Sequence, residues 1–139
     1  MEKALNEYFM PEYQYYLDSI SYQRFGNTSL QVPLSLVCSD NITVSLTADN
    51  KVNLLLTREL KFSPEGIFSV TIRFGADLQF NPETSIGIDW NRVNLAEEFK
   101  KNGDFVIANL MSRASLLIAQ ITSSFGQQPL ILPGAISKE

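Results

Sequence analysis

From position 68 to position 80 the even-numbered residues are Phe, Val, Ile, Phe, Ala, Leu and Phe, and the odd ones between them are Ser, Thr, Arg, Gly, Asp and Gln. This period-two alternation predicts a strand with one buried and one solvated face. Thirteen residues is long for a strand, so Gly75 is expected to mark a bulge or bend. The same pattern places Val52, Leu54, Leu56, Leu60 and Phe62 inward against Asn53, Thr57, Glu59 and Lys61, and it runs through the shorter Ile42, Val44, Leu46. Ala48-Asp49-Asn50-Lys51 reads as the turn between those two, and Ser63-Pro64-Glu65-Gly66 suits a type I turn. Tyr15–Phe25 is rich in aromatic and β-branched residues and stops at Gly26-Asn27, which predicts a first strand with Tyr16, Ile20 and Tyr22 on one face. In Thr28–Asp40, Val32, Leu34, Leu36 and Cys38 alternate, but Pro33 has no N–H to give a ladder; an irregular crossing segment or an edge strand is expected. Ahead of the first strand, residues 1–14 form an N-terminal arm, in which Glu2–Phe9 reads either as two helical turns with Leu5, Tyr8 and Phe9 on one side or as frayed chain.

Beyond the strands the period changes. Asn81–Arg92 reads as a loop carrying Trp90, and Asn94-Leu95-Ala96-Glu97 as the capped start of a short helix ended by Gly103. A long helix is expected over Phe105–Phe125, with Asp104 as N-cap and Gly126 just past its end. Its apolar residues exceed one stripe: Val106, Leu110, Ala114, Leu117, Ile121 and Phe125 form a row that Ile107, Met111 and Ile118 widen, and Arg113 is the one charge. An arc this wide predicts two burial surfaces, the sheet and a second subunit. The element order gives an α+β fold: one domain over 1–139, with a four-stranded antiparallel sheet followed by a short helix and one long helix packing on the sheet.

Composition narrows the chemistry. The net charge is −4, and the basic residues are scattered singly apart from Lys100–Lys101, which argues against a nucleic-acid partner. The chain has no histidine, so the commonest general base and metal ligand is missing and the usual zinc ligand sets are ruled out. Cys38 is alone, with no disulfide partner and no activating base, and reads as packing. Asp77, Glu83, Asp89, Glu97 and Glu98 show no favoured pairing, and the glycines form no phosphate-cradling motif. The expectation is a protein without cofactor or catalytic activity. No apolar run approaches membrane-spanning length and the N-terminus lacks an apolar signal core, so a cytoplasmic protein without a membrane partner is expected. The aromatic content is the informative feature: five tyrosines and nine phenylalanines, four of the tyrosines within Tyr13–Tyr22. Such residues either fill the core and sheet face or form an apolar surface for extended peptide.

Three stretches, in this order, resemble the SecB-like family of export chaperones. Tyr16-Leu17-Asp18-Ser19-Ile20-Ser21-Tyr22-Gln23 is similar to that family's first strand, and Val70–Phe80 to its fourth, with the glycine one position early, directly after Phe74. Arg113, Leu117-Ile118, Gly126 and Pro129-Leu130-Ile131-Leu132-Pro133 are similar to its long helix and the segment leaving it. Thr28–Asp40 then matches the crossover between the first two strands. The resemblance implies four antiparallel strands with a long helix, assembly as a homo-oligomer (dimer or tetramer) through long helices and first strands, and ATP-independent holding of unfolded polypeptide in apolar grooves. It also shows departures: the sequence stops six residues after Pro133, without the family's second helix or its cysteine- and histidine-bearing tail, and the polar sheet face with Lys61, Arg73 and Asp77 has no acidic concentration for docking an export motor. On this reading Tyr22, Phe25, Leu34 and Leu36 are the candidate client-binding residues, and Leu110, Arg113, Leu117 and Ile121 the candidate oligomer interface. The alternative is a structural subunit that assembles through the same helix and binds no client; a small-molecule carrier and an enzyme rank below both.

Overall fold

The computed structural model describes residues 2–25, 35–63 and 66–123. Four antiparallel strands form one sheet: β1 (Gln14–Arg24), β2 (Ser35–Leu46), β3 (Lys51–Ser63) and β4 (Phe68–Gln79), in the spatial order β1-β4-β3-β2. Two helices follow, α1 (Leu95–Asn102) and α2 (Asp104–Ser123), and cover one face of the sheet. The architecture is the expected α+β one.

The alternating residues of β3 and β4 do what their pattern requires. Val52, Leu54, Leu56, Leu60, Val70, Ile72, Ala76 and Leu78 are fully buried beneath the helices, while Asn53, Thr57, Ser69 and Arg73 occupy the other face. β2 extends further than expected. It pairs with β3 continuously from Ser35↔Ser63 to Leu46↔Val52, so Ser35–Asp40 is edge strand and not irregular chain. Positions 26–34, with Pro33, lie outside the described residues, as do Pro64, Glu65 and everything beyond Ser123, including Gly126 and Pro129–Pro133.

The irregularity expected at Gly75 lies instead in the strand opposite it. Register shifts in β1 between Leu17, which pairs with Phe74, and Ser19, which pairs with Arg73. Asp18 is the extra residue, and such a bulge reverses the parity of everything after it. Tyr15 and Leu17 therefore face the helices, as do Ile20 and Tyr22, whereas Tyr16 turns to the open face and does not share a side with Ile20 and Tyr22. Gly75 is needed for another reason: a Cβ there would collide with the Tyr16 ring, which lies across it. The Tyr16 hydroxyl accepts from Asn53 Nδ2 (2.6 Å), and the same amide donates to Asp77 Oδ1 (2.8 Å), tying β1, β3 and β4 together on that face.

Residues 4–13 wrap the end of the sheet. Leu5–Tyr8 is a single 3-10 turn, not two α-helical turns, and Leu5, Tyr8 and Phe9 are buried. Phe9 pairs with Phe80 and stacks on its ring (centroids 5.1 Å apart), next to Trp90, Phe99 and Phe105. The Trp90 indole N–H is buried with no hydrogen-bond partner among the described residues. α1 begins as its sequence predicts, with Asn94 Oδ1 accepting from the Glu97 N–H (3.2 Å). Gly103 closes it by donating its N–H to the Phe99 carbonyl (2.9 Å), and a Cβ at Gly103 would strike that carbonyl. One residue thus separates the two helices, and the Gly103 carbonyl accepts from Val106 and Ile107 at the start of α2. α2 buries Val106, Ile107, Leu110, Met111, Ala114, Ile118 and Thr122 against β4 and β3. By length and composition it is also apolar enough to cross a membrane, a property that a search for unbroken apolar runs does not register; its buried face is packed on the sheet.

Candidate functional site

α2 advances along β4 as its contacts succeed one another. Phe105 lies against Phe9 and Tyr13 (6.4 and 5.7 Å between centroids) near the Phe80 end of the sheet. Arg113 stands over the Tyr15 ring, 4.6 Å from its centroid, and Ser115 reaches Arg58, which is paired with Ile72. The helix is narrower than the four-stranded sheet, and among the described residues two apolar regions are left open beside it.

The first is the sheet end farthest from the N-terminal aromatic cluster. Tyr22 stacks on Phe68 (6.0 Å), Phe68 meets Phe62 edge to face (5.4 Å), and Leu36 is the register partner of Phe62. Phe25 is held beside them by its backbone N–H, which donates to the Ile67 carbonyl (2.9 Å). Ile67 has φ of 61°, a left-handed conformation that is unusual for a β-branched residue and costs energy that the surroundings must offset. An open hollow of about 490 Å³ lies here, lined by Phe25, Phe62, Phe68, Ser69, Glu59 and Lys61. Leu36 is 41% exposed, and Tyr22, Phe25 and Phe62 are half-buried. At the rim Lys61 and Glu59 pair at 3.3 Å. The structure thus brings together Tyr22, Phe25 and Leu36, three of the candidate client-binding residues; Leu34 lies outside the described residues. Phe62 and Phe68 complete the cluster. Their inward alternation was legible in the sequence, but not that two strand ends would leave them beside Tyr22.

The second region flanks α2 where it passes β1. Leu17 (48% exposed) and Ile20 (44%) lie on the helix side of this edge strand, and Leu116 (63%) projects from the helix. Of the candidate interface residues, Leu110 is wholly buried within the single chain and has no surface to offer a second subunit. Leu117 and Ile121 are half-buried against the core, and Arg113 is exposed, bonded through Nε to Asn109 Oδ1 (2.5 Å). The helix is rotated so that the Ile107, Met111, Ala114, Ile118 row faces the sheet, which absorbs much of the apolar arc. Leu116, which the sequence pattern does not single out, is the most open apolar group on α2.

Between the regions lies a buried ion pair. Arg58 donates from Nε to Asp40 Oδ1 (2.7 Å), from Nη2 to Asp40 Oδ2 (3.1 Å) and from Nη1 to Ser115 Oγ (2.6 Å), and both charged side chains are 0% exposed. The parity of β3 puts Arg58 on the apolar face, and β2 places Asp40 directly opposite, so alternation alone signalled an inward charge. Burial raises the Tyr13 and Tyr15 hydroxyl pKa above the usual value near 10; for Tyr15 the neighbouring Tyr13 adds to the rise and Arg113 opposes it. Among the described residues no group of three or more His, Cys, Asp or Glu is placed to hold a metal ion.

No family profile and no curated protein matches the sequence. Solved structures do match. The chain superposes on the Mycobacterium tuberculosis Rv1957 SecB-like chaperone, solved in complex with a ChAD peptide from the Rv1956 HigA1 antitoxin, with a TM-score of 0.64 over 86% of each chain and 10% identity. The fold is SecB-like. At that identity the likeness speaks to architecture: the four-stranded antiparallel sheet with helices packed on one face is common to both.

Proposed function

We propose that this protein holds extended or unfolded polypeptide, without nucleotide, at the aromatic end of the sheet, where Tyr22 and Leu36 adjoin the hollow lined by Phe25, Phe62 and Phe68. The observation that carries the reading is that these side chains gather at one end of the sheet, and that among the described residues Tyr22, Phe25, Leu36 and Phe62 stay partly open to solvent above the buried Phe68. Aromatic rings supply large contact area at low entropic cost and tolerate varied partners. A SecB-like neighbour solved with an antitoxin peptide supports the reading that this architecture accommodates extended chain. Covering the exposed apolar part of this cluster favours binding at about 25 cal/mol per Å², against the costs of association and of ordering the client. The result is weak binding at each site. Such a protein acts as a chaperone for exported polypeptides or for one dedicated client, in the cytoplasm, and is not an enzyme.

Self-association belongs to the same proposal. Leu17, Ile20 and Leu116, with Leu117, Ile121 and Arg113 beside them, form a face suited to a second copy, and joining several weak sites on one oligomer raises avidity for a long client. That face also favours the second reading, a structural subunit that oligomerises and holds nothing. The two are separated by aggregation of a chemically denatured model polypeptide in the absence of nucleotide. The proposed function requires suppression by excess protein and its loss on Tyr22→Ser with Phe25→Ser. No suppression by folded, oligomeric protein would leave the structural-subunit reading.

A further inference from the structure

We infer that the polypeptide held at the aromatic hollow continues along the free edge of β2 as an added antiparallel or parallel strand, bonded through its main chain; this rests on the holding function proposed above. The sheet has two edges and they differ. β1 is broken by the bulge at Asp18 and carries the charges of Asp18 and Arg24. β2 keeps one register with β3 over its whole length, and no strand lies on its other side among the described residues. Soluble proteins ordinarily blunt such an edge with lysine, proline, a bulge or an unneutralised inward charge. The β2 sequence, Ser35–Leu46, contains neither lysine nor proline, and its one charge, Asp40, is neutralised by Arg58. The side chains it shows on the open face, Val37, Ser39, Asn41, Thr43 and Ser45, are small and uncharged and would clash with few neighbours.

The edge is continuous with the hollow. Leu36, the second residue of β2, is the register partner of Phe62, so a chain seated there meets the β2 edge directly. Six residues on, roughly 20 Å along the strand, a second hollow of about 270 Å³ lies between β2 and α1, lined by Asp40, Asn41, Ile42, Ala96, Glu97 and Lys100. Positions i and i+6 of a strand share a face, so an added strand of alternating sequence would present like side chains to both hollows. Main-chain bonding gives affinity independent of client sequence, as strand addition does in other peptide-binding domains.

The test uses the full chain and a synthetic twelve-residue peptide alternating Leu or Tyr with Ser, with two further versions N-methylated at either the odd or the even positions. Strand addition requires that only one of the two sets of amides face β2. The expected result is that one methylated peptide binds about tenfold more weakly or worse than the parent while the other stays within about threefold. Equal binding of both would overturn the inference while leaving the holding function standing. Peptide binding that requires dissociation of the protein's own oligomer would also overturn it and assign the edge to a second copy. Failure of the unmethylated peptide to bind at all would remove the holding function itself.

Discussion

Replacing Arg58 by methionine is expected to destabilise the fold by about 3–5 kcal/mol, because it leaves Asp40 charged, buried and without its cation. The geometry sets this scale. Both side chains are 0% exposed, the guanidinium makes two bonds to the carboxylate at 2.7 and 3.1 Å, and a third at 2.6 Å fixes Ser115 of α2. A domain of this size has roughly 5–15 kcal/mol of stability in all, so the single substitution should lower Tm by about 10–20 °C. Asp40→Leu alone should cost a similar amount, and the double variant Asp40→Leu with Arg58→Met, which removes both charges, should recover to within about 2 kcal/mol of the parent, giving a coupling free energy of about 3 kcal/mol or more. Ser115→Ala should cost less, about 1–2 kcal/mol, since it removes one bond to a charged group. Urea unfolding followed by fluorescence of Trp90, the single tryptophan, reads the parent and all four variants. A cost below about 1 kcal/mol for Arg58→Met, or a double variant no better than the worse single one, would refute the view of this pair as a mutually dependent buried unit.

Other perturbations test other parts of the account. Gly75→Ala is expected to lower stability by about 1–3 kcal/mol by displacing the Tyr16 ring, and by much less in a Tyr16→Ala background; equal costs in the two backgrounds would contradict the packing described. Because burial raises the Tyr13 and Tyr15 pKa in the folded state, their contribution is complete below the unfolded value near 10 and is lost as pH rises through the raised folded values. Alkaline titration by ultraviolet absorbance should show two phenols ionising late, with stability falling from about pH 10 upward. Leu116→Glu should weaken the proposed self-association with little effect on the Tm of the dissociated chain, whereas Leu110→Glu should unfold it; light scattering and thermal unfolding distinguish the two.

Much of the fold was legible because it depends on local periodicity. Strands β3 and β4 declared their buried faces by alternation without interruption, and α1 and the start of α2 by Asn94, Gly103 and a change of period. The errors came from features that act across strands. The Asp18 bulge reverses the parity of β1, and nothing in Tyr15–Phe25 marks it, since the irregularity is a matter of register with β4. Gly75 stands out in the sequence, but its cause lies across the sheet: it accommodates a ring from the neighbouring strand. The width of the long helix's apolar arc is less informative. An arc of apolar residues does not say which part meets the sheet, and rotation of α2 consumed Leu110 while leaving Leu116 open. At the candidate site, Tyr22, Phe25 and Leu36 were found through their aromatic or apolar character beside turn signals. Alternation marks Phe62 and Phe68 only as inward-facing, because proximity of strand ends is a property of topology.

The central claim is that the aromatic end of the sheet holds extended polypeptide, and it is tested most directly by chemical-shift mapping of the isotope-labelled protein during titration with a denatured polypeptide. The account predicts that the largest changes fall on Tyr22, Phe25, Leu36, Phe62 and Phe68, saturating together, while Leu5, Phe9, Trp90 and Phe99 at the opposite end stay unmoved. Shifts centred on that opposite cluster, or none at all at millimolar polypeptide, would contradict it.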